Sequence, residues 1–350
     1  MITYLFRRSF YGLLVMLGVV VLVFFLFQGF GDPSRLVMGQ RADAATQENI
    51  RKDLYLDQPR WKQFFFYLND VSPLGIHSRE EIKKKGLKGV FIGGDTKLGL
   101  KWPYLRRSYQ TKRDVGELLM EALPGTIILA IAAMIIATIL GILLGVIAAV
   151  KKDTWMDSSA IFVSVLGISA PSFFMGIVIA YLFGFVLSQY TGLHMTGSLF
   201  DTDPFAGRQL QLENLLLPAI TLGIRPMAII AQLTRGSLLD VLDQDYIRTA
   251  YAKGLDKRRV IWKHGLRNAL NPVITAITGW FAELLAGAFF VEFIFGWKGI
   301  GKVTVEALGK LDFPVVMGSV LVSSFFFIVI GLLADLLYGV IDPRVRMNGK

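Results

Sequence analysis

Arg225 and Glu283 are the residues of this chain whose placement most strongly suggests chemistry, because each interrupts a long apolar run. Each lies about ten residues into its run, roughly 15 Å along a helix that rises about 1.5 Å per residue. A charge at such a depth costs at least a few kcal/mol and normally faces a bundle interior or a water-filled cavity, often paired. One cation and one anion at similar depth suit a zwitterion in transit, its carboxylate toward Arg225 and its amine toward Glu283. A structural ion pair, or an arginine reaching to the interface, satisfies the same physics. Other chemistry is poorly supplied. There is no cysteine, and the three histidines (His77, His194, His264) are scattered, so metal clusters and thiolate chemistry have no donors. Serine hydrolysis needs a base beside the nucleophile, yet no histidine falls within an apolar run. Asp335 has no second aspartate with which to form an intramembrane pair. Gly89–Lys97, GVFIGGDTK, has the glycine spacing of a phosphate loop, but Asp95 occupies the position that loop gives to lysine.

A second stretch stands out by its polarity. Asp245–Pro272 reads DYIRTAYAKGLDKRRVIWKHGLRNALNP between two apolar runs. Its pattern predicts amphipathic helices over 245–253 and 257–270, joined at Gly254-Leu255, where glycine suits a sharp turn. Tyr246, Ile247 and Ala250 form one apolar edge, and Val260, Ile261, His264 and Leu266 part of another. Pro272 fits the first turn of the helix that follows. Two readings stay open on these residues alone: a basic helix lying on an anionic membrane leaflet, or a docking helix for a soluble partner. Asp240, Asp243, Asp245 and Asp256 weigh against the first.

These residues must be held by the apolar runs. The chain has 350 residues, 53% hydrophobic and 18% charged, with mean hydropathy +0.52. A soluble domain carries nearer a quarter charged residues. A net charge of +10 fits basic cytoplasmic loops better than nucleic-acid binding. Runs of about 20 apolar residues are long enough to cross a bilayer. Six are found: Ser9–Gly31, Ala122–Val150, Ser158 to about Ser188, Leu215–Leu233, about Asn271–Phe295 and about Phe313–Val340. The first is too long for a cleavable signal, and no small-residue cleavage site follows it. The expected fold is all-α, a polytopic membrane protein with six transmembrane helices. Basic short loops place both termini in the cytoplasm with Arg7, Arg8, Lys151, Lys152 and the tail residues Arg344, Arg346 and Lys350.

The expected organisation is an N-terminal tail and first span (1–31), an extracytoplasmic segment (32–113), and a five-helix core (114–350) carrying the polar loop 234–270. The 32–113 segment holds 17 basic and 9 acidic residues, and segments this long cross largely regardless of charge. It offers a plausible amphipathic helix at 45–56, an aromatic stretch at Trp61–Leu68 and a basic run at 80–89. The expectation is an ordered cap with Phe64–Tyr67 packed on the spans, open to protease near 79–97.

The polar loop also carries a resemblance. DYIRTAYAKGL, RRV and KHGLRNALNPVIT resemble the cytoplasmic coupling loop of binding-protein-dependent ABC transporter permeases, of the dipeptide/oligopeptide type. GDP at 31–33, LYLDQPRWKQFFFYL at 54–68, the run at 123–150 and SAPSFFMGI at 169–177 are similar to that family as well. So are LLLPAITLG at 215–223, VEFIFGWKGIG at 291–301, DFPVVMG at 312–318 and DLLYGVIDPRVR at 335–346. They follow the family's order over most of the chain. Departures are Arg248-Thr249-Ala250 in place of Glu-Ala-Ala, Lys298 in place of proline, Gly331 in place of asparagine, and a divergent 71–97. The resemblance implies a bacterial inner-membrane subunit that hydrolyses nothing itself and needs no cofactor of its own. ATP and Mg would be bound by two partner ATPase subunits, beside a second permease subunit and an external solute-binding protein. It also implies a coupling helix in which Tyr246, Ile247 and Ala250 enter the ATPase groove, Gly254 sets the turn, and Arg248, Lys257, Arg258 and Arg259 form the polar rim. The cargo implied is a peptide. An importer of nickel or another solute, or an ion-gradient carrier using Arg225 and Glu283, are the alternatives.

Overall fold

The computed structural model describes residues 2–28, 55–203 and 207–341. The 31–33 motif, the helix expected at 45–56 up to Leu54, and the tail from 342 lie outside the described residues. In chain order the elements are α1 (Ile2–Gln28), α2 (Arg60–Val71), β1 (Leu74–Ser78), α3 (Arg79–Lys85), β2 (Gly89–Gly93) and β3 (Thr96–Lys101). There follow α4 (Val115–Val150), α5 (Trp155–Ser169), α6 (Ser172–Tyr181), β4 (Phe200–Asp203) and β5 (Gly207–Leu210). The chain then continues through α7 (Glu213–Leu242), α8 (Asp245–Ala252), α9 (Arg267–Gly287), α10 (Phe289–Ile294), α11 (Ile300–Gly309) and α12 (Phe313–Ile341).

Among the described residues four helices are long and apolar enough to span a membrane: Phe6–Gln28, Val115–Val150, Glu213–Leu242 and Phe313–Leu336. A fifth span is formed if α5 and the helical stretch Ser172–Val186 count as one, although they are bent by 110° at Ala170-Pro171. The expected third span is therefore broken, because proline and the residue before it resist helical continuation. The expected fifth run divides at Ala288, and α9 contains Asn268, Asn271, Thr275, Thr278 and Glu283, which lower its hydropathy. Pro272 does not open this helix but sits inside it, five residues past its start. The all-α expectation also needs correction: β1, β3 and β2 form an antiparallel three-stranded sheet, and β4 pairs with β5.

The chain divides into two compact units. One comprises Met1–Tyr4, Pro124–Lys302 and Phe326–Lys350, the other Leu5–Leu123 and Val303–Phe325. In the first, α7 is the most enclosed of the candidate spans and shares an apolar core with α4, α6 and α9 through Leu129, Ala133, Leu222, Ile230, Val273 and Leu284. Small residues let α4 and α7 approach closely, as is common between membrane helices. A Cβ on Gly145 would lie 2.6 Å from the carbonyl oxygen of Ala231.

The second unit is built on aromatic packing. Phe24 of α1 stacks on Tyr67 and meets Phe64 edge-on, and Val20 and Leu321 complete the cluster. Of the expected aromatic contact, Tyr67 is buried while Phe65 is exposed. The 79–97 region is ordered, with Ser78 and Glu81 forming a capping box on α3. Buried Asp70 pairs with Lys85 at 2.5 Å. Lys101 donates to the carbonyls of Asp70 and Ser72, and burial pushes its ammonium down to about 8 against the pull of Asp70. The Asp312 carboxylate accepts from Ser108 Oγ at 2.5 Å, Tyr109 N at 2.9 Å and Gln110 N at 3.3 Å, pinning the chain before α4.

The helix seam yields a paired expectation. Gly145→Ala forces a methyl into a neighbouring backbone and should cost about 1–3 kcal/mol, as overpacking does. Gly236→Ala, in open space on α7, should be neutral or stabilise by up to about 1 kcal/mol through helix propensity. Thermal unfolding of the purified variants measures both, and equal melting temperatures would contradict the seam.

Candidate translocation cleft and coupling surface

The break between α5 and α6 creates a space. Ala170 leaves the helix with ψ 132°, its N–H still donating to Leu166, and Pro171 starts the new direction. Residues of the bend (Gly167, Ala170, Ser172, Met175), of α7 (Thr221, Leu222, Ile224, Arg225, Pro226) and of α9 (Trp280, Glu283, Leu284) line a cleft of about 120 Å³. Arg225 and Glu283, which belong to separate helices 58 positions apart in the sequence (283 − 225), thus open on the same cavity. Both are exposed to it. Among the described residues no ion pair joins them, and the guanidinium of Arg225 lies over the Trp280 ring at 5.6 Å, a cation–π contact. The cavity presents a cation, an anion and an aromatic face in a largely apolar frame, features that orient a small polar ligand.

The polar stretch forms the two expected helical pieces on either side of Gly254, but the second passes through a π-type stretch and runs on into α9. α8 ends before Gly254, whose φ of 75° is the left-handed conformation glycine adopts freely. Asp256 then caps a short turn at Lys257–Arg259 by accepting from Arg258 N at 3.0 Å. A wide π-type stretch, Val260–Leu266, leads straight into α9. Ile247 and Ala250 are buried against Val260, Val241, Leu242 and Leu255 of the same chain. They do not form an outward apolar edge, because that edge already anchors α8 to its own unit. Tyr246 remains partly exposed while its hydroxyl accepts from Asn268 Nδ2 at 2.9 Å. The outward surface comprises Tyr246, Arg248, Tyr251 and Lys253, then Lys257, Arg258, Arg259, Trp262 and Lys263. An open cleft runs between Asp256, Arg258, Arg259, Trp262 and Lys263. Tyr251 and Trp262 were not singled out from sequence, although exposed aromatics beside arginines are the usual composition of docking anchors.

Two further contacts connect these regions. Arg235 of α7 grips Asp157 of α5 with two hydrogen bonds, Nε–Oδ1 at 2.6 Å and Nη2–Oδ2 at 2.7 Å. This bidentate geometry is the strong form of the pair. It ties the start of α5 to the last third of α7, just before α8. Elsewhere, buried Glu292 of α10 accepts from the amides of Gly301 and Lys302 in the first turn of α11, at 2.7 and 3.3 Å. Trp297 Nε1 donates to Gly125 O and Ile300 N to Thr126 Oγ1, both at 2.9 Å. The stretch VEFIFGWKGIG is thereby explained: its acid caps the helix that its glycines begin.

Residues 141–347 match the model of the binding-protein-dependent transport system inner membrane component. The chain belongs to this permease family. Its residues 1–82 also match the N-terminal model of the binding-protein-dependent transport system membrane component. The permease is 32% identical to the dipeptide transport system permease protein DppB of Alkalihalophilus pseudofirmus, over 99% of this chain and 100% of that one. It is 34% identical to the glutathione transport system permease protein GsiC of Escherichia coli, over 99% of each chain. Among solved structures, the MetNI methionine ABC transporter in inward-facing conformations aligns with TM-score 0.49 and 16% identity, covering 64% of the permease and 96% of that chain. The family is a transport component rather than an enzyme.

Burial separates two residues that share α8. Ile247→Ala in the permease should lower its stability by about 2–5 kcal/mol, the range for emptying a packed site. Tyr251→Ala should leave the melting temperature within about a degree or two, since exposed substitutions usually cost under about 0.5 kcal/mol. The reverse order in thermal melts would show that α8 presents its other face.

Proposed function

We propose that the permease forms the translocation pathway of an ATP-driven importer of short peptides, with the cleft at the α5–α6 bend on that pathway. The observation that carries this reading is the convergence of Arg225 and Glu283 on one cavity. A peptide presents a carboxylate and an ammonium group at opposite ends, and an unpaired cation and anion within an apolar frame complement both. The relatives named for dipeptide and glutathione transport support the same class of cargo. The remaining parts follow the family: six crossings of a bacterial inner membrane, both termini in the cytoplasm, a second permease subunit, two ATPase subunits holding ATP and Mg, and an external solute-binding protein delivering peptide.

In this reading the ATPase docks on the outward surface of α8 and the turn after it. Tyr246, Tyr251 and Trp262 are the aromatic anchors, and Arg248, Lys257, Arg258, Arg259 and Lys263 form the charged rim. Gly254 holds the bend between them. Ile247, Ala250 and Val260 transmit the motion, since they fasten the docked helix to α7. The Arg235–Asp157 pair carries it on to α5 and hence to the bend at the cleft.

Arg225→Gln and Glu283→Gln should each assemble with the ATPase, while peptide uptake by cells falls roughly tenfold, equivalent to about 1.4 kcal/mol. Normal uptake by both variants would remove the cleft from the path, and failure to assemble would make the charges structural. Trp262→Ala and Tyr251→Ala should leave the permease folded but weaken ATPase co-purification or raise the ATP hydrolysed per peptide imported. Unchanged coupling in both would place the docking surface elsewhere.

A further inference from the structure

The three-stranded sheet of the second unit is inside out. Strand side chains alternate between faces, and a sheet with one covered face normally turns its apolar residues inward. Here the covered face carries His77 and Lys101, both buried, together with Gly75 and Gly99. It is closed by α2, whose Asn69 bonds both the amide and the carbonyl of Ile76 at 2.9 and 2.8 Å, and whose Asp70 carbonyl accepts from Lys101 Nζ. The opposite face is formed by Leu74, Ile76, Val90, Ile92, Leu98 and Leu100, in register as Leu74–Leu100–Val90 and Ile76–Leu98–Ile92. All six are exposed, from 57% at Ile76 to 77% at Ile92. Six contiguous aliphatic side chains form the kind of patch that marks an interaction surface.

The position and composition of this face identify what covers it. Trp102, directly after β3, is 76% exposed, and its amide donates to the carbonyl of Lys88 at 3.0 Å. Lys88 Nζ in turn lies 3.4 Å from Glu117 Oε1 in the first turn of α4. One end of the sheet therefore lies beside the first turn of α4, a helix long and apolar enough to span a membrane. Protein-docking surfaces favour aromatic residues and arginine at their centres and avoid lysine. This face is aliphatic throughout, with tryptophan and lysine at its edge, the pattern of segments lying in a bilayer interface. We infer that the aliphatic face of the β1–β3–β2 sheet rests in the headgroup layer of the membrane on the side where α4 begins, so that this lobe is a lipid-bound platform.

The chain contains no cysteine, so single reporters can be placed without background. Ile92→Cys and Leu98→Cys, each labelled with NBD, are reconstituted in nanodiscs of phosphatidylcholine and phosphatidylglycerol as the assembled transporter without its binding protein. Glu80→Cys on α3 serves as the exposed reference. Labels at 92 and 98 should be quenched at least roughly twofold more than the reference by lipids bearing a nitroxide near the headgroup, consistent with insertion to about 5–10 Å, and should resist aqueous iodide. Iodide quenching equal to that at Glu80 would overturn the inference by showing a solvated face. Protection from both quenchers would overturn it equally, because a protein subunit would then cover the sheet. Two independent sites guard against one label disturbing the fold, which matching melting temperatures confirm.

Discussion

In hydrocarbon a backbone N–H or C=O that leaves a helix must find a partner within the protein, and each one left unpaired costs several kcal/mol. Among the described residues the first unit departs from regular α-helix at Ala170-Pro171, at the π-type stretches 182–186 and 260–266, and at Ala288. The first borders the proposed cleft, and the stretch 260–266 lies beside the proposed coupling surface. Past Ala288, the carboxylate of Glu292 takes the first amides of α11. A chain built only to span the bilayer has no reason to break its helices so often. Such breaks give the bundle places at which it can bend.

Charge is managed in three distinct ways. Asp157 and Arg235 neutralise each other through a bidentate pair, so they can hold two helices together without seeking water. Glu292 is enclosed: its Oε2 accepts from the amides of Gly301 and Lys302, while its Oε1 has no hydrogen-bond partner among the described residues. Arg225 and Glu283 have neither solution, and both open into a cavity alongside Trp280. The bidentate geometry of this part-buried pair marks Asp157–Arg235 as a structural coupling between α5 and α7. Charges that face a cavity instead are free to exchange water for ligand groups, which is the property a transport path needs.

Much of this was legible in the amino-acid order. The uncharged runs at Ser9–Gly31, as far as Gln28, and at Ala122–Val150 correspond to helices, and Arg225 and Glu283 line one cavity. The turn at Gly254 follows from glycine's tolerance of positive φ. What escaped depended on partners distant in sequence. Ile247 and Ala250 look like an exposed apolar edge until Val260 and Leu242 fold over them. The strands at 74–101 show a two-residue alternation of Leu74/Ile76, Val90/Ile92 and Leu98/Leu100, but glycines and the EEIKKK run dilute it, and its apolar side is the exposed one. The fifth apolar run reads as a single span because nothing local to Ala288 announces the break there.

The central claim, that this chain conducts peptides under the power of a partner ATPase, is tested most directly by uptake of a radiolabelled dipeptide into proteoliposomes holding the complete transporter. Uptake should require the solute-binding protein on one face and hydrolysable ATP on the other, and should persist when ionophores dissipate proton and sodium gradients. Uptake that proceeds without ATP and collapses with the ion gradient would contradict the account and make the chain a secondary carrier.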